Sequence, residues 1–68
     1  MFYTVLEVQE DVSGARGVIP VIYSDYEAAL AKLYTVLAAA AASALPYHAG
    51  HILRSDGIIT DGRVFDRR

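Results

Sequence analysis

The 68-residue sequence contains no cysteine, which removes disulfides and thiolate zinc sites as ways of holding a small fold together. A domain of this size buries only about 60% of the surface its unfolded chain exposes, and chains this short usually add a disulfide, a metal or a second subunit. Basic residues are few, six against eight acidic ones, for a formal charge of −2. That balance disfavours nucleic acid as a partner, since such binders carry a basic stripe. Asp66-Arg67-Arg68 is too short a cluster to reverse it. Long hydrophobic runs are missing too. The run from Val36 to Leu45 is apolar except for Ser43, about half of the roughly 20 residues that a membrane helix needs. The opening MFYTVLEVQED lacks the basic segment of a secretory signal. These absences lead us to expect a single domain over residues 1–68, without membrane contact, in the cytoplasm.

Apolar surface is what the chain has in excess. Hydrophobic residues make up 54% of it, above the roughly 45–50% of an ordinary domain, and a partner subunit is the simplest place to hide the surplus. FYTVLEVQ alternates, with Phe2, Thr4, Leu6 and Val8 on one side and Tyr3, Val5, Glu7 and Gln9 on the other, which predicts a strand. EDVSGARG follows as a loop, and Val18–Tyr23 reads as a second strand. Pro20 cannot donate to a sheet ladder, so this strand is expected at an edge or a bulge.

Ser24-Asp25-Tyr26-Glu27 fits the capping box that opens a helix, with Ser24 as N-cap and Glu27 reaching back to it. From there no breaker occurs before Pro46, predicting a helix of about 20 residues and about 30 Å. Leu30, Leu33, Leu37, Ala40, Ala41 and Ala44 form a stripe suited to lying on a sheet. The other side is polar early, at Glu27, Lys32 and Thr35, and almost bare later, at Ala38, Ala39, Ala42 and Ser43. Helix propensity alone accounts for an alanine run. Small side chains also let a second backbone approach closely, and we expect that back face, with Tyr34 beside it, to meet the same helix of another subunit. Beyond Pro46, His51–Arg54 reads as a strand, Ser55-Asp56-Gly57 as a hairpin turn and Ile58–Phe65 as the returning strand. Asp61-Gly62 falls inside that strand and marks a bulge or a tight turn. The order is β-β-α-β-β, an α+β two-layer fold with an antiparallel sheet and one long helix packed on it.

Few residues suggest chemistry. His48 and His51 would need a third ligand such as Asp56 or Asp61 to hold a metal, and they read more simply as a loop and a strand histidine. SGARG could cradle an anion with Arg16 as counter-charge but lacks the lysine of a P-loop, so a hairpin loop is the simpler reading. DGIITDGR does not place carboxylates where a calcium loop needs them. Ser24 is better used as a cap than as a nucleophile, and Glu7, Glu10 and Asp11 read as a solvated strand end. No catalytic residue, cofactor or metal is therefore expected, and the chain does not read as an enzyme. Five tyrosines are many for the length. Tyrosine suits core rims and interfaces alike, and Tyr34 and Tyr47 bracket the alanine run.

The stretch KLYTVLAAAAASALPYHAGHILRSDG, together with the opening MFYTVLEVQ, resembles a group of small uncharacterised proteins of anaerobic gut bacteria and their prophages. The match runs through Tyr34-Thr35-Val36-Leu37-Ala38-Ala39-Ala40-Ala41, Ser43, Pro46 and His48. Where that group has Tyr-His in the helix, this chain has Leu33-Tyr34, so a helix histidine is missing. The resemblance implies a phage or mobile-element setting, with the host cytoplasm as location, and carries over no activity.

The expected function is that of a non-enzymatic accessory protein acting by binding, self-associated through Ala38, Ala39, Ala42, Ser43 and Tyr34. One alternative is an oligomer that sequesters a nucleotide-like signalling molecule between subunits. Arg16, Arg54 and Arg63 would then meet phosphates, Tyr34 or Tyr47 would stack on a base, and His48 would stand beside them. Another is an inhibitor of a host defence enzyme, using the strand edge at Pro20 or the acidic Glu7–Asp11 stretch.

Overall fold

The computed structural model describes residues 1–68. It has the expected order: strand β1 (Tyr3–Glu10), strand β2 (Arg16–Tyr23), helix α1 (Tyr26–Ala42), strand β3 (Tyr47–Arg54) and strand β4 (Ile59–Asp66). The four strands form one antiparallel sheet in the order β2-β1-β3-β4, with α1 packed on one face. Pro20 lies in β2, an edge strand, where a missing amide hydrogen interrupts no central ladder. No helix is long and apolar enough to cross a membrane.

Several boundaries differ from the sequence expectation, each for a local reason. The N-cap of α1 is Asp25, not Ser24: its carboxylate accepts from the Ala28 amide, and the helix starts at Tyr26. Both residues are good caps, and the fold selects the later one. At the other end α1 stops at Ala42, giving 17 residues, and Ser43 is already extended. Leu45 precedes proline and is disfavoured in helical conformation, so the last turn before Pro46 is lost. Strand β3 begins at Tyr47 rather than His51, and both histidines therefore lie in it. Pairing with β1 from Tyr47 to Arg54, opposite Glu10 to Tyr3, captures the segment despite its glycine. Arg16 and Gly17 likewise belong to β2, leaving a tight loop whose Asp11 carboxylate accepts from the amides of Ser13 and Ala15. The turn at Ser55–Gly57 is a hairpin turn with Gly57 at a φ of +90°, a conformation glycine takes without strain. The anticipated irregularity lies beside Asp61-Gly62: Ile52 pairs with Asp61 but Leu53 with Ile59, so Thr60 is the extra, bulged residue.

The core is small. Val5, Ile52, Ala29, Leu33 and Val36 form its centre, flanked by Tyr3, Tyr23, Tyr26, Leu30 and Leu37. The helix stripe is thus Ala29, Leu33, Val36 and Ala40, with Ala41 and Ala44 of the expected stripe exposed. The helix sits close on β3. Gly50 lies under the helix, where an added Cβ would come within 2.9 Å of Val36 Cγ1 and 3.1 Å of Leu33 Cδ1. The helix settles over that missing side chain, with Leu33, Val36 and Leu37 around it.

Register divides the sheet residues between two faces. The helix side carries Val5 and Ile52, but also Glu7, Gln9, His48, Asp61 and Arg63. The other side has four cross-strand rows. At one end are Arg16, Glu10, Tyr47 and Asp66, and next come Val18, Val8, Ala49 and Val64. Pro20, Leu6, His51 and Gly62 follow, then Ile22, Thr4, Leu53 and Ile59. No element of the chain covers this side.

Candidate functional site

Polar side chains gather in two places, one under the helix and one at the charged row of the uncovered face. Under the helix, Gln9 and His48 are cross-strand partners, and Glu7 stands one position along β1 on the same face. His48 is buried, and its Nε2–H donates to Glu7 Oε2 at 2.7 Å. Gln9 Nε2–H donates to the same oxygen at 3.0 Å. Burial by itself would raise the Glu7 carboxyl, but the hydrogen bonds from His48 and Gln9 outweigh it, with Lys32 nearby, and hold it below its ordinary value. Glu7 is therefore not the solvated strand end its sequence position suggests. His48 Nδ1 is buried without a partner. With one ring nitrogen on a carboxylate and the other enclosed, His48 ties β1 to β3.

The second place is a cleft of about 190 Å³ lined by Val8, Gln9, Glu10, Arg16, Tyr47 and Arg68. It is smaller than the roughly 300–1,000 Å³ of ordinary ligand pockets. Arg16 Nε–H donates to Glu10 Oε1 at 3.0 Å, and Arg68 donates to Glu10 Oε2 at 3.1 Å. The Arg68 guanidinium also lies 4.8 Å from the Tyr47 ring centre, a cation–π contact. Its other nitrogens hold Asp66, and this pairing lowers the Asp66 carboxyl to about 2. Two guanidinium groups thus face two carboxylates, and the cleft is close to neutral. Glu10, like Glu7, is a partnered group and not a solvated end.

These contacts bring together only part of the expected ligand set. Arg16 and Tyr47 share the cleft, whereas His48 lies under the helix. Arg54, at the far end of β3, is paired with Asp56 at 2.5 Å. Arg63 is on β4, 4.9 Å from the Phe65 ring centre. The two histidines occupy opposite faces of β3, because His48 is level with Gln9 and His51 with Leu6, so they cannot share an ion. Asp61, a possible third ligand, instead accepts from the Tyr26 hydroxyl at 2.5 Å, which pushes the tyrosine above its ordinary value.

Of the expected contact residues, Ala38, Ala39, Ala42 and Tyr34 are exposed along the back of α1. Ser43 leaves that face. It ends the helix, and its hydroxyl accepts from the Leu45 amide.

Three residues escaped sequence reasoning: Glu10 as a bridge, Arg68 as its partner, and Arg67. Arg67 donates to the carbonyls of Ala40 at 2.9 Å, Ala41 at 3.2 Å and Leu45 at 3.3 Å. It satisfies carbonyls that a helix end otherwise leaves unpaired, in a last turn with no basic residue of its own. The alternation of charge from Asp61 through Arg68 was the available signal, but only the pairing of β4 with β3 shows where each charge lands.

Comparison with protein-family models, curated proteins and solved structures found no match.

Proposed function

We propose that this is a non-enzymatic accessory protein that acts by binding and works as an oligomer, in the phage or prophage setting that its sequence resemblance implies. The observation that carries this reading is that a chain of 68 residues leaves two smooth, small or apolar surfaces open on opposite sides, the alanine back of α1 and the far face of the sheet. Large exposed apolar patches on small proteins mark interaction sites. Glu7 with His48, Glu10 with Arg16 and Arg68, and Asp61 with Tyr26 are instead paired with one another within the chain.

Light scattering coupled to size exclusion tests the reading at micromolar concentration. A mass at least twice 7.4 kDa is expected, and a stable monomer overturns it.

One observation favours the sequestration alternative as a second reading. Arg16 and Tyr47, expected to bind phosphate and base, do share a cleft, and only Nε of Arg16 is engaged within the chain. Native mass spectrometry of protein taken from cells would show a retained nucleotide-like mass. A clean apo mass that ignores added cyclic nucleotides counts against it.

A further inference from the structure

The uncovered face of the sheet departs from the usual arrangement. An antiparallel sheet with one helix layer ordinarily buries its apolar side and presents a polar side to water. Here the covered side mixes Tyr3, Val5, Val21, Tyr23 and Ile52 with Glu7, Gln9, His48, Asp61 and an exposed Arg63, while three of the four rows on the uncovered side hold no carboxylate, lysine or arginine. Their side chains stand in the open: Val18 is 57% exposed, Ile22 68%, Ile59 61% and Val64 44%. The row Val18, Val8, Ala49 and Val64 is apolar across all four strands.

We infer that the uncovered sheet face is a homodimer interface, in which two sheets stack to give a helix–sheet–sheet–helix sandwich. This rests on the oligomer reading above and gives it a location, on the sheet instead of the alanine helix.

Three features select a second copy as the occupant. The first is area. Four strands about 4.8 Å apart and eight residues at about 3.4 Å each give a face of roughly 500 Å² in plan. With side-chain relief, this approaches the roughly 800 Å² per partner of a standard interface. A sheet of the same width and twist is the body that covers it without overhang, at a separation of about 10 Å. The second is charge. The only ionic row, Arg16, Glu10 and Asp66 with Arg68 across them, has as many positive as negative groups, each engaged in a local pair. It carries no net sign to recruit an oppositely charged partner, and it offers both signs to a copy of itself. The third is the thinness of the core: seven hydrophobic residues are buried. Stacking the two faces would add a second apolar layer to each subunit, which is how chains without disulfide or metal commonly gain stability.

The test compares wild type, Val18→Lys with Val64→Lys, and Ala39→Glu by light scattering across a dilution series. Both valines are exposed on edge strands, so lysine there leaves the subunit core untouched. A buried, unpaired lysine strongly opposes association, and the dissociation constant of the double variant is expected to rise at least ~100-fold. Ala39→Glu should stay dimeric. A monomeric wild type overturns both this inference and the oligomer reading. An oligomer that survives the two lysines but falls apart with Ala39→Glu overturns only the inference and moves the contact to α1. Should the double variant fail to fold, dilution of wild type followed by amide NMR decides the matter. Shifts concentrated at Val8, Val18, Ala49 and Val64 support the sheet interface, and shifts confined to Ala38–Ala42 overturn it.

Discussion

Gly50 gives the sharpest test of how the helix is seated. The residue pairs with Glu7 on one side and Arg63 on the other, in the middle of the sheet. An alanine Cβ there would stand 2.9 Å from Val36 Cγ1, 3.1 Å from Leu33 Cδ1 and 3.2 Å from Leu37 Cδ2. Two effects oppose each other. Replacing glycine stiffens the unfolded chain and contributes about 0.4–1 kcal/mol of stability where the backbone is compatible, and Gly50 has no positive φ. Overpacking a tight core costs about 1–3 kcal/mol. The leucine tips can rotate away, but Val36 is β-branched and stiff within a helix, so overpacking wins by about 1 kcal/mol. For a domain of this size that lowers Tm by about 4–8 °C, and it is a sizeable share of a total stability of roughly 3–10 kcal/mol. Gly17→Ala is the control, since an added Cβ there meets nothing within 4 Å; it should leave Tm unchanged or slightly raised. Thermal unfolding followed by circular dichroism, at one protein concentration for all variants, measures both. A Gly50→Ala variant as stable as wild type or Gly17→Ala would refute the close seating of α1 on β3.

Two further outcomes follow from the caps and the buried polar group. Asp25→Ala should cost about 1 kcal/mol by removing the N-cap acceptor, whereas Ser24→Ala should stay within about 0.5 kcal/mol; chemical denaturation of the two variants checks this, and the reverse order would restore Ser24 as the cap. Glu7 has a folded-state carboxyl held below its ordinary 4.5, so the stability it contributes is complete above that value and is lost as the pH falls through the folded one. Wild type should therefore exceed Glu7→Gln in Tm at neutral pH, with the gap closing in acid below pH 4.5; a gap that persists undiminished in strong acid would show that the carboxylate's charge is not what stabilises this site.

Much of the fold was legible because its signals are local. Alternation in FYTVLEVQ, the acidic opening of α1, Pro20 and the Asp56-Gly57 turn act through neighbours in sequence, so they predict the element order, the edge placement of β2 and the hairpin. The bulge beside Asp61-Gly62 was legible for the same reason. The sites were less so. The sequence pairs no Glu7 with His48, 41 positions apart, and no Arg67 with the carbonyls of Ala40 and Ala41. Strand register makes those pairs, and a shift of one residue would send every side chain to the other face.

Residue content and order are enough to make this chain a small α+β domain with surplus apolar surface and without disulfides. Composition and periodicity follow directly from the residues, and hydrophobic burial needs no particular partner. Where that surface lies depends on how the elements pack. The alanine run leaves Ala38, Ala39 and Ala42 exposed along the back of α1. The register also puts valines, leucines and isoleucines on the bare side of the sheet and turns Glu7, Gln9 and His48 under the helix. Alternation along a strand says only that its two faces differ. Which one α1 covers depends on the space above Gly50 and on the core that Val5, Ile52, Leu33 and Val36 make together.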